Sequence, residues 1–215
     1  MSQVYRWRAD ELDLAITETP FSTSVLPKQW NEHRERRLSA EEEGLLMGRV
    51  RRSEMRARVN WRCLIALALE TGARLQELIL AEWKEFNHET RVWSIPAAHT
   101  KSKKARSIPL SKRALLALRV IQLYRNAADP RPFHRFKTPS SASCCFRKLK
   151  HEAGIGDFRF HDFRHEAISR MVLHRRQISV YEIMRIVGHS SLEMMNRYAN
   201  LRAEELVDRF DIRTS

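Results

Sequence analysis

The sequence predicts a mainly α-helical domain with one small antiparallel β-sheet, an α+β fold, on three observations. Apolar residues recur at helical spacing through most of the chain after residue 38. Three short stretches between residues 83 and 110 carry β-formers or alternation instead. The segments are separated by capping residues, glycines and one basic loop, with no internal repeat or low-complexity tract. A chain of 215 residues suits one main domain with a short appendage.

Residues 1–37 read as that appendage. An amphipathic stretch to about Ile16 gives way to Thr17–Pro27, with two prolines, and then to the charged segment His33–Arg37, a pattern of a helix end and a linker. The main domain is expected over 38–215. Ser39-Ala-Glu-Glu42 has capping-box spacing ahead of Leu45, Leu46 and Met47 and so predicts a helix start. Trp61–Glu70 (WRCLIALALE) is apolar nearly all round, which predicts a buried helix, with Gly72 as its left-handed cap. A further helix restarts at about Arg74. Trp83–Phe86, Arg91–Ile95 and Arg106–Leu110 are the expected strands, with the basic loop Pro96–Ala105 between the last two. Helical period then returns over Ser111–Arg125, Ser140–Ala153, Phe163–Leu173, Val180–Ile186 and Ala203–Phe210.

Composition narrows the function classes. No apolar run approaches the ~20 residues of a membrane span, and the first twenty residues lack the apolar block of a secretory signal, so a cytoplasmic location is expected. Cys63, Cys144 and Cys145 cannot all pair, as in a reducing compartment. Thirty-nine Lys and Arg against 26 Asp and Glu give a formal charge of +13, which favours a polyanionic partner held through phosphate contacts.

Candidate chemistry is spread along the domain. Arg74 follows Thr71-Gly72-Ala73 at a helix junction, where backbone N–H groups and a guanidinium can converge on an anionic oxygen, and Glu77 can steady it from one turn on. Lys101 lies at the tip of the predicted hairpin, in His99-Thr-Lys-Ser-Lys-Lys-Ala-Arg106. It suits either a proton donor or a solvated basic loop, while Lys103, Lys104 and Arg106 read as phosphate contacts. In Phe160-His-Asp-Phe-Arg-His165 the spacing puts His161 and Arg164 on one face of a helix's first turn. The rival pairing of His161 with His165 as zinc ligands lacks the usual glutamate and an obvious third ligand. In Ile186-Val-Gly-His-Ser-Ser-Leu-Glu-Met-Met-Asn-Arg-Tyr198, a turn and a short helix can return Tyr198 beside His189.

Taken together, Thr71-Gly-Ala-Arg-Leu-Gln-Glu77, Lys101 in a hairpin, His161-Asp-Phe-Arg164, Gly188-His189 and Tyr198 make the sequence from about Arg37 to Leu206 resemble the tyrosine recombinases, the phage-integrase family. That resemblance implies the family's catalytic-domain fold and a site-specific recombinase or integrase that cleaves and rejoins duplex DNA through a 3′-phosphotyrosine. It makes Tyr198 the nucleophile, Arg74 and Arg164 a phosphate clamp, Lys101 the acid for the leaving 5′ oxygen, and His161 and His189 the supporting acid-base pair. It implies no ATP or metal cofactor, and a homotetramer when two duplexes are synapsed. Residues 1–37 would correspond to the tail of a core-binding domain. The chain departs from the family's pattern at Met195, where threonine is common, and at Asn200, where a histidine or similar polar residue is usual. Two other readings stay open at this point: a truncated DNA-binding member acting as a regulator without strand exchange, and a topoisomerase using the same chemistry. The Ala203–Phe210 segment suits docking on a neighbouring protomer or packing on its own domain.

Overall fold

The computed structural model describes residues 36–174, 178–189 and 195. All but residues 36 and 37 of the helix end and linker expected over 1–37, the nucleophile candidate Tyr198 and the expected terminal helix at 203–210 lie outside the described residues.

Helix α1 (Ala40–Arg51) starts where the sequence predicts. The Ser39 side chain accepts from the Glu42 N–H and the Glu42 carboxylate accepts from the Ser39 N–H, while Glu41, Glu42 and Glu43 sit in the positive first turn. Helix α2 (Met55–Thr71) is the buried helix, longer at its N-terminus than the apolar run because Glu54 caps it through the Arg56 and Ala57 N–H groups. Gly72 ends it at φ +63°, a conformation that L side chains resist. An added Cβ there would stand 3.3 Å from Val187 Cγ1, so the glycine also admits a second segment to the turn.

The sheet is smaller than expected. It has the order β1-β2-β3 and is antiparallel throughout, with β1 at Phe86–Asn87, β2 at Val92–Ile95 and β3 at Arg106–Pro109. Trp83–Glu85, expected as strand, is a 3₁₀ turn. The reason is the Glu85 carboxylate, which accepts from the Glu82 N–H and from the Trp93 indole at 3.0 Å, while the Trp83 N–H is bound to the Pro130 carbonyl. A pleated strand would pull those partners apart.

Helices α4 (Lys112–Gln122), α5 (Pro139–Glu152), α6 (Asp162–His174) and α7 (Val180–Val187) follow, with the six-residue α3 (Leu75–Leu80) between α2 and the sheet. Ser111, Thr138 and Ser179 cap α4, α5 and α7. Helix α2 packs against both α4 and α6. Trp61 of α2 meets Phe146, which with Phe158, Phe160 and Phe163 forms one aromatic cluster of tilted and edge-to-face rings, the Phe146 and Phe163 centroids 5.5 Å apart. A second cluster, Ile168, Met171, Ile183, Val187 and Met195, joins α6 to α7.

The start of the domain is tied down by charge. Glu166, nearly fully buried on α6, accepts from Arg170 at 2.8 Å and from Arg37 at 3.2 Å, and Arg170 reaches on to Glu43 of α1. Cys63 is buried and its thiol is pushed up to about 11 by burial, whereas Cys144 and Cys145 are exposed; all three are free thiols. Among the described residues no helix is long and apolar enough to cross a membrane.

Candidate active site

Arg74 is the residue before the first turn of α3, placed there because Gly72 reverses the chain out of α2. Its backbone N–H donates to Glu77 Oε2 at 2.7 Å and its Nη1 lies 3.4 Å from Glu77 Oε1, so the expected i,i+3 support is present. The same bond corrects the expectation of open backbone donors here: the Arg74 N–H is engaged by Glu77, while the guanidinium remains partly exposed.

Arg164 sits in the first turn of α6 and is only 4% exposed. Nη1 donates to the Gly72 carbonyl at 2.6 Å and Nη2 to the Val187 carbonyl at 2.7 Å. One guanidinium therefore joins the turn that leads into Arg74 to the turn that leads into His189. Gly188 closes α7 at φ +71°, and both the Gly188 and His189 N–H groups donate to the Met184 carbonyl, at 2.8 and 2.9 Å. The His189 Nδ1 then meets the Met195 sulfur at 3.3 Å. Met195 is buried in the second apolar cluster, so where the family commonly carries threonine this chain places a thioether against the imidazole.

His161 lies in the turn just before α6, with an exposed side chain and a carbonyl that accepts from the Arg164 N–H at 3.0 Å. It is thus one turn from Arg164, as the spacing predicts, and its ring stands edge-on to His165 with centroids 5.1 Å apart.

Lys101 is exposed at the tip of the β2–β3 hairpin. The tip has a built shape. The Thr100 hydroxyl lies 3.0 Å from the Ala97 and Lys104 carbonyls and accepts from the Lys104 N–H at 3.1 Å, and Lys103 takes φ +53°. The hairpin is held to α3 by Gln76, whose amide donates to the His99 carbonyl at 3.4 Å. A cleft of about 730 Å³ separates the basic arm at Lys104 from Gly188 and His189.

Glu77 steadies Arg74 as expected, but its pairing with Arg106 is not anticipated by the sequence, and Arg106 takes a different place from the one expected. Glu77 has 0% relative exposure and is the hub of the site, bound by Arg74 and, at 2.6 and 2.7 Å, by both terminal nitrogens of Arg106. Arg106, expected to contact phosphate, points inward instead, because a buried carboxylate requires a cation. The signal was available in Leu75-Gln-Glu-Leu-Ile-Leu80, where a lone acid stands among apolar residues. Burial alone would raise the Glu77 carboxyl's pKa; the Arg106 hydrogen bonds and charge, together with the Arg74 N–H, outweigh it and hold the group below its ordinary 4.5.

The Arg74 junction, the Arg164 turn, the hairpin and the Gly188–His189 turn are therefore joined by direct side-chain bonds, while Tyr198 lies outside the described residues. The chain is similar to known proteins in both sequence and fold. The chain is 35% identical over 182 residues to a shufflon-specific DNA recombinase of Escherichia coli, covering 84% of this chain and 44% of that protein. It is 30% identical over 158 residues to an integrase of Salmonella phage P22, covering 67% of this chain and 40% of that one. The chain thus spans less than half the length of these relatives. In fold it matches the crystal structure of XerA recombinase at TM-score 0.65 and 18% identity, over 99% of this chain and 75% of that one. It also matches a lambda integrase (75–356) dimer bound to a COC′ core site at TM-score 0.67 and 18% identity, over 94% and 70%. Because residues 36–205 match the Phage integrase family, a span that takes in every element described above from α1 to the Gly188 turn, this chain belongs to that family.

Proposed function

We propose that the chain is the catalytic domain of a site-specific DNA recombinase or integrase that cleaves and rejoins duplex DNA with Tyr198 as nucleophile. The observation that carries the reading is the Arg164 guanidinium, which bridges the Gly72 and Val187 carbonyls and so brings the Arg74 and His189 motifs to one place.

In this reading the Tyr198 oxygen attacks a backbone phosphorus, the bond from phosphorus to the 5′ oxygen breaks, and a 3′-phosphotyrosine forms. The phenol proton leaves to a histidine, for which His161 and His189 are the candidates, and Lys101 supplies a proton to the departing 5′ oxygen. Charge builds on the phosphoryl oxygens as phosphorus becomes five-coordinate, and Arg74 and Arg164 are the fixed cations that stabilise it. The ester keeps the energy of the broken bond, so a 5′ hydroxyl from another strand rejoins by the reverse step without ATP. The excess of basic residues favours DNA as partner; the homotetramer as synapsed form follows from the family resemblance, and the cytoplasmic location from the absence of a secretory apolar block in the first twenty residues.

A duplex nicked a few nucleotides to the 3′ side of the scissile phosphate tests this, since the short fragment carrying the released 5′ hydroxyl diffuses away and religation is prevented. A denaturant-resistant protein–DNA adduct is expected. Affinity is expected to fall with salt by about 0.9 log unit per log unit for each phosphate neutralised. Salt-dependent binding with no adduct would favour a regulator without strand exchange, and a salt-independent response would remove DNA as the partner.

A further inference from the structure

We propose that Arg106 is a positioning residue for the cleavage reaction: one guanidinium sets the hairpin arm that carries Lys101 and the turn that carries His189 against the helix start that carries Arg74. The proposal rests on the cleavage reading above. It deepens that reading by adding a residue outside the six assigned by resemblance.

Arg106 opens β3, paired with Ile95 at the base of the basic loop. Its side chain is 9% exposed. Nη1 and Nη2 take both oxygens of Glu77, at 2.6 and 2.7 Å, and Nε donates to the Ile186 carbonyl at 3.0 Å. Every nitrogen of the group is thereby bound to another element, α3 through Glu77 and α7 through Ile186. The aliphatic part lies flat against the turn after α7, since a Cβ added at Gly188 would stand 3.2 Å from Arg106 Cδ and 3.3 Å from Nε. Glu77 passes the constraint on, because its Oε2 also accepts from the Arg74 backbone N–H.

The fork matters as much as the charge. Lysine would keep a cation beside Glu77, but a single ammonium on a flexible stem cannot hold two carboxylate oxygens and a carbonyl 29 and 80 residues away in sequence at fixed angles. A misplacement of about 1 Å between reacting groups costs on the order of 100-fold in rate. If Arg106 instead contacted a phosphate, lysine would substitute well.

The test is Arg106→Lys in the full chain, compared with wild type in single-turnover cleavage of the nicked duplex, with DNA affinity measured across a salt series. The expected result is a cleavage rate constant lower by about 100-fold at full amplitude, with an unchanged salt slope. A role limited to stability would instead lower the amplitude, through loss of folded protein, while the rate constant of the remainder stayed at wild type. Either that pattern or a wild-type rate constant, the result a phosphate contact kept by lysine would give, overturns the proposal. Gly188→Ala, which presses on the Arg106 side chain without removing a charge, is expected to slow cleavage in the same direction, and a full-rate Gly188→Ala protein also counts against it. Absence of an adduct from wild-type protein removes the cleavage reading and this role with it, whereas a cleaving wild type with a full-rate Arg106→Lys variant removes the positioning role alone.

Discussion

Arg164→Ala is expected to lose both the reaction and much of the stability, whereas Arg74→Ala loses the reaction alone. The buried Arg164 guanidinium holds the Gly72 and Val187 carbonyls, and hydrogen bonds to a charged group are worth about 1.5–3 kcal/mol each. Losing two of them and the side chain's packing should cost roughly 3 kcal/mol or more, read as a lower urea midpoint. Arg74 stands at a partly exposed helix start, and its support of the fold runs through its backbone N–H, which alanine keeps. Its stability should therefore change by less than about 1 kcal/mol. In single-turnover cleavage each variant should fall by on the order of 100-fold or more, the scale on which a fixed donor to a developing oxyanion acts. Wild-type stability for Arg164→Ala would contradict the bridge, and full-rate cleavage by Arg74→Ala would contradict the clamp.

Glu77→Leu should destabilise the domain by about 3–5 kcal/mol, since it leaves the Arg106 cation buried without its counter-charge. The same pair predicts how stability responds to acid. Burial works to raise the carboxyls of Glu77 and Glu166, but arginine partners win at both, and each sits below its ordinary 4.5. A carboxylate lowered on folding contributes its stability in full above the unfolded value, and that contribution is lost as the pH falls through the lower, folded value. The urea midpoint should accordingly vary little on account of these groups between pH 7 and about 5 and then drop below about 4.5. Glu77→Gln should flatten part of that drop. An acid limb as steep in Glu77→Gln as in wild type would remove Glu77 from the account.

These two residues also mark where the sequence is readable. The capping box at Ser39, the left-handed Gly72 and the restart at Arg74 are local signals, since each is decided by hydrogen bonds within a few residues, and each is present at its expected place. The spacing of His161 and Arg164 is local in the same sense. Trp83–Glu85 was misread because its conformation is decided by Trp93 and Pro130, which reach it from other parts of the chain. Arg106 was misread for a related reason. In a run of basic residues nothing local distinguishes the one that turns inward, and its partner lies 29 residues earlier on another element. Charge counting places such a residue on the DNA, whereas a search for the cation owed to a carboxylate in an apolar helix places it beneath the site. The His189–Met195 contact is likewise a product of the fold, as it depends on the cluster that α6 and α7 make together.

Tyr198 is the group whose oxygen is proposed to join the DNA, and the most direct measurement is to identify the residue linked to it. The adduct formed on the nicked duplex is digested with protease and nuclease, and the linked peptide is sequenced by mass spectrometry. The expected result is Tyr198 bonded to a 3′ phosphate, with no adduct from Tyr198→Phe, which should still bind DNA. Linkage through another side chain, such as the exposed Tyr181, or to a 5′ phosphate, would contradict it.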